Sequence, residues 1–153
     1  GNNMKRFLKK RKARGFTLVE LLIVIVIIGI LAGSLLLVMG SGTDKANATK
    51  IVSNMRTLKA ATLMYYADND SWTGVETSGN LDTYLDRSIG SIYSITNDAT
   101  NGIDVFANVT SEDTGVKTRL TGMASDSGLY ADAAESADYS GGNSVYMSVS
   151  TTN

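Results

Sequence analysis

The sequence predicts an α+β fold, in which a long N-terminal α-helix, membrane-embedded in its first half, packs against a small antiparallel β-sheet. Nineteen consecutive residues, Leu21 to Met39, carry no charge. The segment that follows repeats its apolar positions every three or four residues, which is the spacing of one helix face. The rest of the 153-residue chain holds short apolar stretches between Gly-, Ser-, Asn- and Asp-rich turns, which is typical of short strands.

The charge-free run is long enough to span a bilayer. At about 1.5 Å per residue it covers roughly 28 Å, close to the roughly 30 Å hydrocarbon core. Half of the 14 basic residues precede the run, with no acid among them: Lys5, Arg6, Lys9, Lys10, Arg11, Lys12 and Arg14. A basic tip can also bind nucleic acid, but the apolar run behind it favours a membrane, and we expect no nucleic-acid partner. The positive-inside bias leaves the N-terminus in the cytoplasm and exports the residues after Met39.

The next segment predicts an amphipathic helix from Asp44 to about Ala67. Its apolar face comprises Ala48, Ile51, Val52, Met55, Leu58, Thr62 and Tyr65. Its basic residues occupy other faces: Lys45, Lys50, Arg56 and Lys59. If both segments join, one helix runs from Phe16 to about Ala67, and the turn-forming residues Asp68 to Ser71 end it.

The remaining residues predict one short helix and four short strands. The helix covers Leu81 to Asp86, with Asn80 as its N-terminal cap. The strands cover Ile92 to Ile95, Ile103 to Val109, Val116 to Leu120 and Ser144 to Ser150. Such a small sheet buries too little surface to be stable alone, so we expect it to pack on the apolar face of the amphipathic helix.

The composition argues against an enzyme. The chain has no cysteine and no histidine. This excludes disulfides, thiol nucleophiles, histidine acid–base relays and zinc sites of the usual Cys/His kind. We therefore predict no catalytic residue, no cofactor and no metal site.

Three kinds of export signal compete for the N-terminus. A secretory signal peptide would be cut after the apolar run, but the nearest site, Ile30-Leu31-Ala32, has isoleucine where a small residue is needed. A lipoprotein signal needs a cysteine, which the chain lacks. A plain membrane anchor needs no particular residues before the run.

The residues that stand there are specific. Arg14-Gly15-Phe16-Thr17-Leu18-Val19-Glu20 follows a basic leader and precedes an apolar helix that contains Ile-Ile-Gly-Ile-Leu-Ala. From Lys12 to about Ala32 the sequence resembles the type IV pilins, including the pseudopilins of type II secretion systems. The resemblance implies a pilin-like fold and three parts: a leader peptide over residues 1–15, a transmembrane and assembly helix over 16–42, and a head domain over 43–153.

The resemblance also implies a processing route. A membrane-embedded prepilin peptidase would cleave between Gly15 and Phe16 and methylate the new amine of Phe16. Glycine suits this position because it places no side chain beside the scissile bond. The precursor would be a single-pass protein of the inner membrane, in contact with lipid. An assembly platform in that membrane would then add it to a filament of identical or homologous subunits.

Glu20 is an unusual residue within an apolar segment. An unpaired charge in lipid costs up to a few kcal/mol, although a residue near the helix end can lie at the level of the headgroups. The resemblance implies that Glu20 pairs with the N-terminal ammonium of a neighbouring subunit and so sets the register of assembly.

Other features leave the kind of filament open. Many family members have a proline near the position of Leu37, and this chain has no proline, so whether the helix partly melts on assembly is open. No segment matches the calcium loop of major secretion pseudopilins. The chain therefore fits a pilus subunit or a pseudopilin of a type II secretion or DNA-uptake system. A monomeric membrane-anchored binding domain is the alternative of a different class.

Overall fold

A computed structural model of the chain describes residues 15–152, with residues 36–41 described by their backbone alone. The predicted leader, residues 1–15, lies outside the described residues except for Gly15. The elements are α1 (Leu18–Asn69), a 3-10 turn (Asp82–Tyr84), β1 (Tyr93–Asp98), β2 (Gly102–Asn108), α2 (Thr114–Ser127) and β3 (Ser144–Ser150). The chain divides into two compact units between Gly40 and Ser41. The predicted domain boundaries after residues 15 and 42 stay predictions.

The first part of α1 carries apolar side chains on every side. Residues Leu18–Leu35 form a helix that is long and apolar enough to cross a membrane, judged by length and composition. None of this stretch is buried within the chain. An apolar surface that surrounds a helix needs lipid or other apolar helices around it. This agrees with the predicted transmembrane segment.

The part of α1 in the second unit provides one side of the hydrophobic core. Ala48, Ile51, Val52, Met55 and Leu58 are all at most 5% exposed. The three- and four-residue spacing therefore predicted the buried face correctly. The helix ends at Asn69, where the sequence predicted a terminating turn, and Asp70 has a left-handed backbone with a φ of 49°.

The sheet has three antiparallel strands in the order β1-β2-β3. Ile103, Val105 and Ala107 alternate along β2 and are completely buried in the same cluster as the α1 residues. The sheet thus packs on the amphipathic part of α1, as predicted. At the start of β2, a side chain on Gly102 would overlap the carbonyl of Ser150, so only glycine allows β2 and the end of β3 to approach this closely.

The predicted strand from Val116 to Leu120 is wrong, because these residues belong to α2. Val116, Leu120 and Ala124 are buried at intervals of four residues, which places them on one helix face. The predicted strand covered only five residues, in which a spacing of four between Val116 and Leu120 fits strand alternation as well as a helix. Ala124, whose spacing indicates a helix, lies beyond those five residues. Gly128 ends the helix in a left-handed conformation with a φ of 67°.

The short predicted helix from Leu81 to Asp86 is also smaller than expected. Only Asp82–Tyr84 form a 3-10 turn, and the residue at the capping position is Leu81. The Asn80 side chain does not cap it. Its side-chain amide instead donates to the Gly74 carbonyl at 2.9 Å, and this hydrogen bond joins two parts of the loop after α1.

Asp104 is a buried acid on the face of β2 opposite the α1 core. It is 1% exposed, and within residues 15–152 its Oδ1 atom has no hydrogen-bond partner. Burial, together with the nearby carboxylates of Glu135 and Asp98, raises the pKa of Asp104 to about 6. Loss of a proton from this group in the folded chain therefore destabilises the head.

Replacing Asp104 with asparagine tests this cost. A folded-state pKa above the ordinary value means that the group favours folding below about pH 4 and loses that contribution as the pH rises through about 6. Asp104→Asn should raise the thermal midpoint of the head at pH 7.5. The corresponding gain in the free energy of unfolding should be no more than about 3 kcal/mol. The gain should shrink at pH 4. The measurement is circular dichroism of the detergent-solubilised chain, with Asp126→Asn, a change at an exposed acid on α2, as the control. An equal gain at both pH values would contradict the assignment.

Candidate functional site

The candidate site is the short segment that leads into α1. Gly15, Phe16 and Thr17 precede the first helical residue and have no regular secondary structure. Nothing lies within 4 Å of the position that a side chain on Gly15 would occupy, and Phe16 is 91% exposed. A protease needs an extended, accessible backbone, and a helix withholds it because its peptide groups are hydrogen-bonded internally. The bond between Gly15 and Phe16 lies in exposed backbone outside the helix.

Thr17 and Glu20 form a reciprocal cap at the start of α1. The Glu20 backbone N–H donates to Thr17 Oγ1 at 3.2 Å, and the Thr17 N–H donates to Glu20 Oε2 at 3.5 Å. The Leu21 N–H donates to the Thr17 carbonyl at 3.2 Å and begins the helical ladder. This arrangement is a capping box, which satisfies backbone donors that the first turn leaves free.

The charge of Glu20 did not predict its partner in the cap, Thr17. The signal that would have found it is the spacing Thr-x-x-Glu just before an apolar run. The carboxylate thus has a structural use within a single chain. A negative side chain in the first turn also interacts favourably with the positive end of the helix dipole.

The cap leaves the Glu20 carboxylate able to accept further hydrogen bonds. An ionised carboxylate has about four acceptor positions, and the cap uses one long contact. Within residues 15–152 the structure shows no cation paired with Glu20, whereas it does show Arg87 paired with Asp86. The structure therefore brings Gly15, Phe16 and Glu20 into one exposed segment, with the acid held at the helix start.

The head contributes no comparable chemical centre among residues 15–152. No group of three acidic side chains there is arranged to hold a metal ion. A groove with a volume of about 740 Å³ lies between the loop after α1 and strand β1.

The described residues combine three features. A membrane-length helix near the N-terminus is preceded by an accessible peptide bond, a capped acid stands at the start of that helix, and a small α+β domain follows further along the chain. Residues 10–36 match the family described as "Prokaryotic N-terminal methylation motif". The chain therefore carries this motif, and the resemblance to type IV pilins and pseudopilins is confirmed.

Curated relatives cover part of the chain. The Klebsiella michiganensis protein "Type II secretion system core protein G" is 39% identical over 69 residues, which is 45% of this chain and 49% of the relative. The protein of that name from Escherichia coli K12 is 45% identical over 58 residues, 38% of this chain and 40% of the relative. The Thermus thermophilus "Type IV wide pilus major component PilA4" is 43% identical over 63 residues, 41% and 48% respectively.

The chain thus matches about half the length of these curated relatives. No solved structure matches it significantly. The similarity fits a filament subunit. The type II secretion system and the type IV wide pilus are the assemblies named for the relatives.

Replacing Thr17 with alanine tests the capping box. Thr17→Ala removes the hydroxyl acceptor and should destabilise the first turn of α1 by about 1 kcal/mol. The amide hydrogens of residues 19 and 20 should then exchange about fivefold faster in detergent micelles, measured by NMR. Thr17→Ser keeps the hydroxyl and serves as the matched control. Equal exchange rates for Thr17→Ala and the unsubstituted chain would contradict the cap.

Proposed function

We propose that this chain is a structural subunit of a type IV pilin-like filament, and not an enzyme. One observation carries the proposal. The methylation motif over residues 10–36 stands directly at the start of a membrane-length apolar helix, Leu18–Leu35, and the described residues bury none of that stretch. A helix of this kind can be held first by lipid and later by the helices of neighbouring subunits.

The first step of the proposal is processing of a membrane-anchored precursor. The N-terminus lies in the cytoplasm, and a prepilin peptidase cleaves between Gly15 and Phe16 and methylates Phe16. The exposed, non-helical backbone at these residues supports this site. Cleavage removes seven positive charges and keeps the apolar helix, so the product stays in the membrane but loses the charges that oppose its extraction.

The second step is polymerisation through α1, directed by an assembly platform in the inner membrane. Outside the membrane the alternative to helix–helix contact is water, and burial of a large aliphatic side chain relative to water contributes about 1.5–3 kcal/mol; Leu18–Leu35 presents many such side chains. This apolar contact has no preferred axial position. Pairing of Glu20 with the Phe16 ammonium of a neighbour supplies one, because a charge pair in a low-dielectric surrounding is favourable at one offset only.

The capping box supports this role for Glu20. A carboxylate that is already held at the helix start loses less side-chain freedom when it pairs with a neighbouring ammonium. Cleavage also places the new ammonium one residue before Thr17, at the same end of the helix. The intrachain cap and the interchain pair therefore use one carboxylate in one position.

The second candidate function is that of a pseudopilin. The relatives named core protein G of the type II secretion system favour it, whereas PilA4 of Thermus thermophilus favours a surface pilus. A pilus subunit should appear in fibres sheared from the cell surface. A pseudopilin of a secretion system should cause secreted proteins to be retained when it is deleted, and one of an uptake system should cause loss of DNA import.

Replacing Gly15 with valine tests the cleavage site. Gly15→Val adds a branched side chain beside the scissile bond, so the precursor should accumulate in the membrane and the mature form should fall at least about tenfold, since one crowded contact of about 1.4 kcal/mol is a tenfold effect. Mass spectrometry of the unsubstituted chain should find Phe16 as the N-terminal residue, carrying one methyl group.

A mature chain that begins elsewhere would refute the assignment. An unmethylated, uncleaved chain that functions normally would favour a monomeric membrane-anchored binding domain instead.

Two substitutions separate the charge of Glu20 from its capping role. Glu20→Gln keeps a side chain that can cap but removes the charge, whereas Thr17→Ala weakens the cap and keeps the charge. Both chains should be processed. Sheared filaments should decrease at least about tenfold for Glu20→Gln, because a lost charge pair costs 2 kcal/mol or more. They should decrease less than about threefold for Thr17→Ala. The reverse order would mean that Glu20 acts through the cap.

A further inference from the structure

The head carries opposite charges on two separate segments. Residues 43–59 of α1 hold four bases and one acid, whereas residues 60–92, which form the end of α1 and the loop after it, hold five acids and one base. Within one chain, opposite charges this close in sequence commonly pair. The ion pair that the structure shows within residues 43–92 is the sequence-adjacent Arg87–Asp86, at 3.4 Å. The two segments therefore do not neutralise each other.

The reason is their placement around α1. The Arg56 side chain donates to the Ser127 hydroxyl at the end of α2, at 3.3 Å. Asn54 accepts from Arg87 at 3.2 Å and donates to Tyr93 at 3.2 Å, on the side of the loop. Positions 54 and 56 lie about 200° apart around a helix, since each residue advances about 100°. The bases on the α2 side thus point away from the acids of the loop.

We define the basic edge as Lys45, Arg56 and Lys59 with the exposed Leu63. These four positions fall within about 60° of one another around α1. Leu63 is 45% exposed, although the core of the head is only a turn away. The basic edge therefore presents one large apolar side chain next to two cations, Arg56 and Lys59.

The groove on the opposite side has the complementary pattern. Apolar residues line it: Leu58, Val75, Leu81, Leu85, Ile89 and Ile95. Glu76, Asp82 and Asp86 lie on its rim and are exposed. The single rim cation, Arg87, already contacts Asp86 and Asn54. A groove of about 740 Å³ with an apolar floor and an acidic rim fits an apolar side chain flanked by bases.

We propose that the basic edge of one subunit docks in the acidic groove of a second copy of this chain. The two surfaces differ and lie on opposite sides of α1, so the contact is head-to-tail. Such heterologous contacts do not satisfy themselves in a closed pair, and they propagate into rings or open helical assemblies. The inference rests on the proposed filament function and assigns to the head a part of its assembly interface.

Cross-linking tests the contact directly. The chain has no cysteine, so Lys59→Cys combined with Asp82→Cys introduces the two reactive thiols. Sheared filaments of this double variant, treated with a bismaleimide, should give a ladder of multimers on a denaturing gel. Each single-cysteine variant should give no product beyond a dimer. Intact filaments of the double variant without a ladder would overturn the proposed contact.

Charge reversal tests its energetic contribution. Arg56→Glu with Lys59→Glu should lower the yield of sheared filaments at least about tenfold, because like charges across an interface repel. Asp82→Lys with Asp86→Lys in the same chain should restore the yield. The matched control is Arg56→Lys with Lys59→Arg, which changes the same two positions but keeps both positive charges and should assemble normally.

The outcomes separate this inference from the function on which it rests. Filaments that form at normal yield from the Arg56→Glu, Lys59→Glu chain overturn the inference alone. A correctly processed, unsubstituted chain that forms no filament overturns the proposed function and the docking contact with it. Processing to the mature form and an unchanged near-ultraviolet circular dichroism spectrum establish that each variant is folded.

Discussion

The apolar surface of α1 has to be buried, and the chain does not bury all of it. In the second unit one face of α1 is covered by the sheet and by α2, through residues such as Met55 and Val52. Over Leu18–Leu35 the apolar side chains surround the helix and stay exposed. The hydrophobic effect makes this second surface the part of the molecule that requires an outside partner. Lipid and neighbouring helices are the two partners that suit an all-apolar helix.

The start of the same helix combines two uses of one carboxylate. Thr17 and Glu20 satisfy each other's backbone N–H groups, which a helix start otherwise leaves without partners. The charge that makes this cap effective is also the one acid in the stretch from Gly1 to Thr43. A structural role and an assembly role for Glu20 are therefore compatible, because the cap fixes the position that pairing needs.

The head contains a buried acid that lowers its stability and charged groups that it leaves on its surface. Asp104 lies buried on β2 with an unpartnered oxygen, and its raised pKa reports the energy that its ionised form loses on burial. The surface of the same domain keeps the bases of the basic edge and the acids of the loop on different sides of α1. A chain that neutralised these groups internally would have no charged surface left to orient a neighbour.

The sequence by itself determined the elements that depend on local period and composition. The charge-free run, the buried face of α1 and the strand β3 follow from residue spacing, and the segment around Gly15 and Phe16 follows from a short motif. Only the tertiary structure decided that Val116 and Leu120 belong to a helix. The five residues from Val116 to Leu120 fit the period of a strand and that of a helix, and packing against the core favours the helix. It also decided the burial of Asp104 and the opposite placement of the charged surfaces. These depend on which residues meet through space, and no local pattern contains that information.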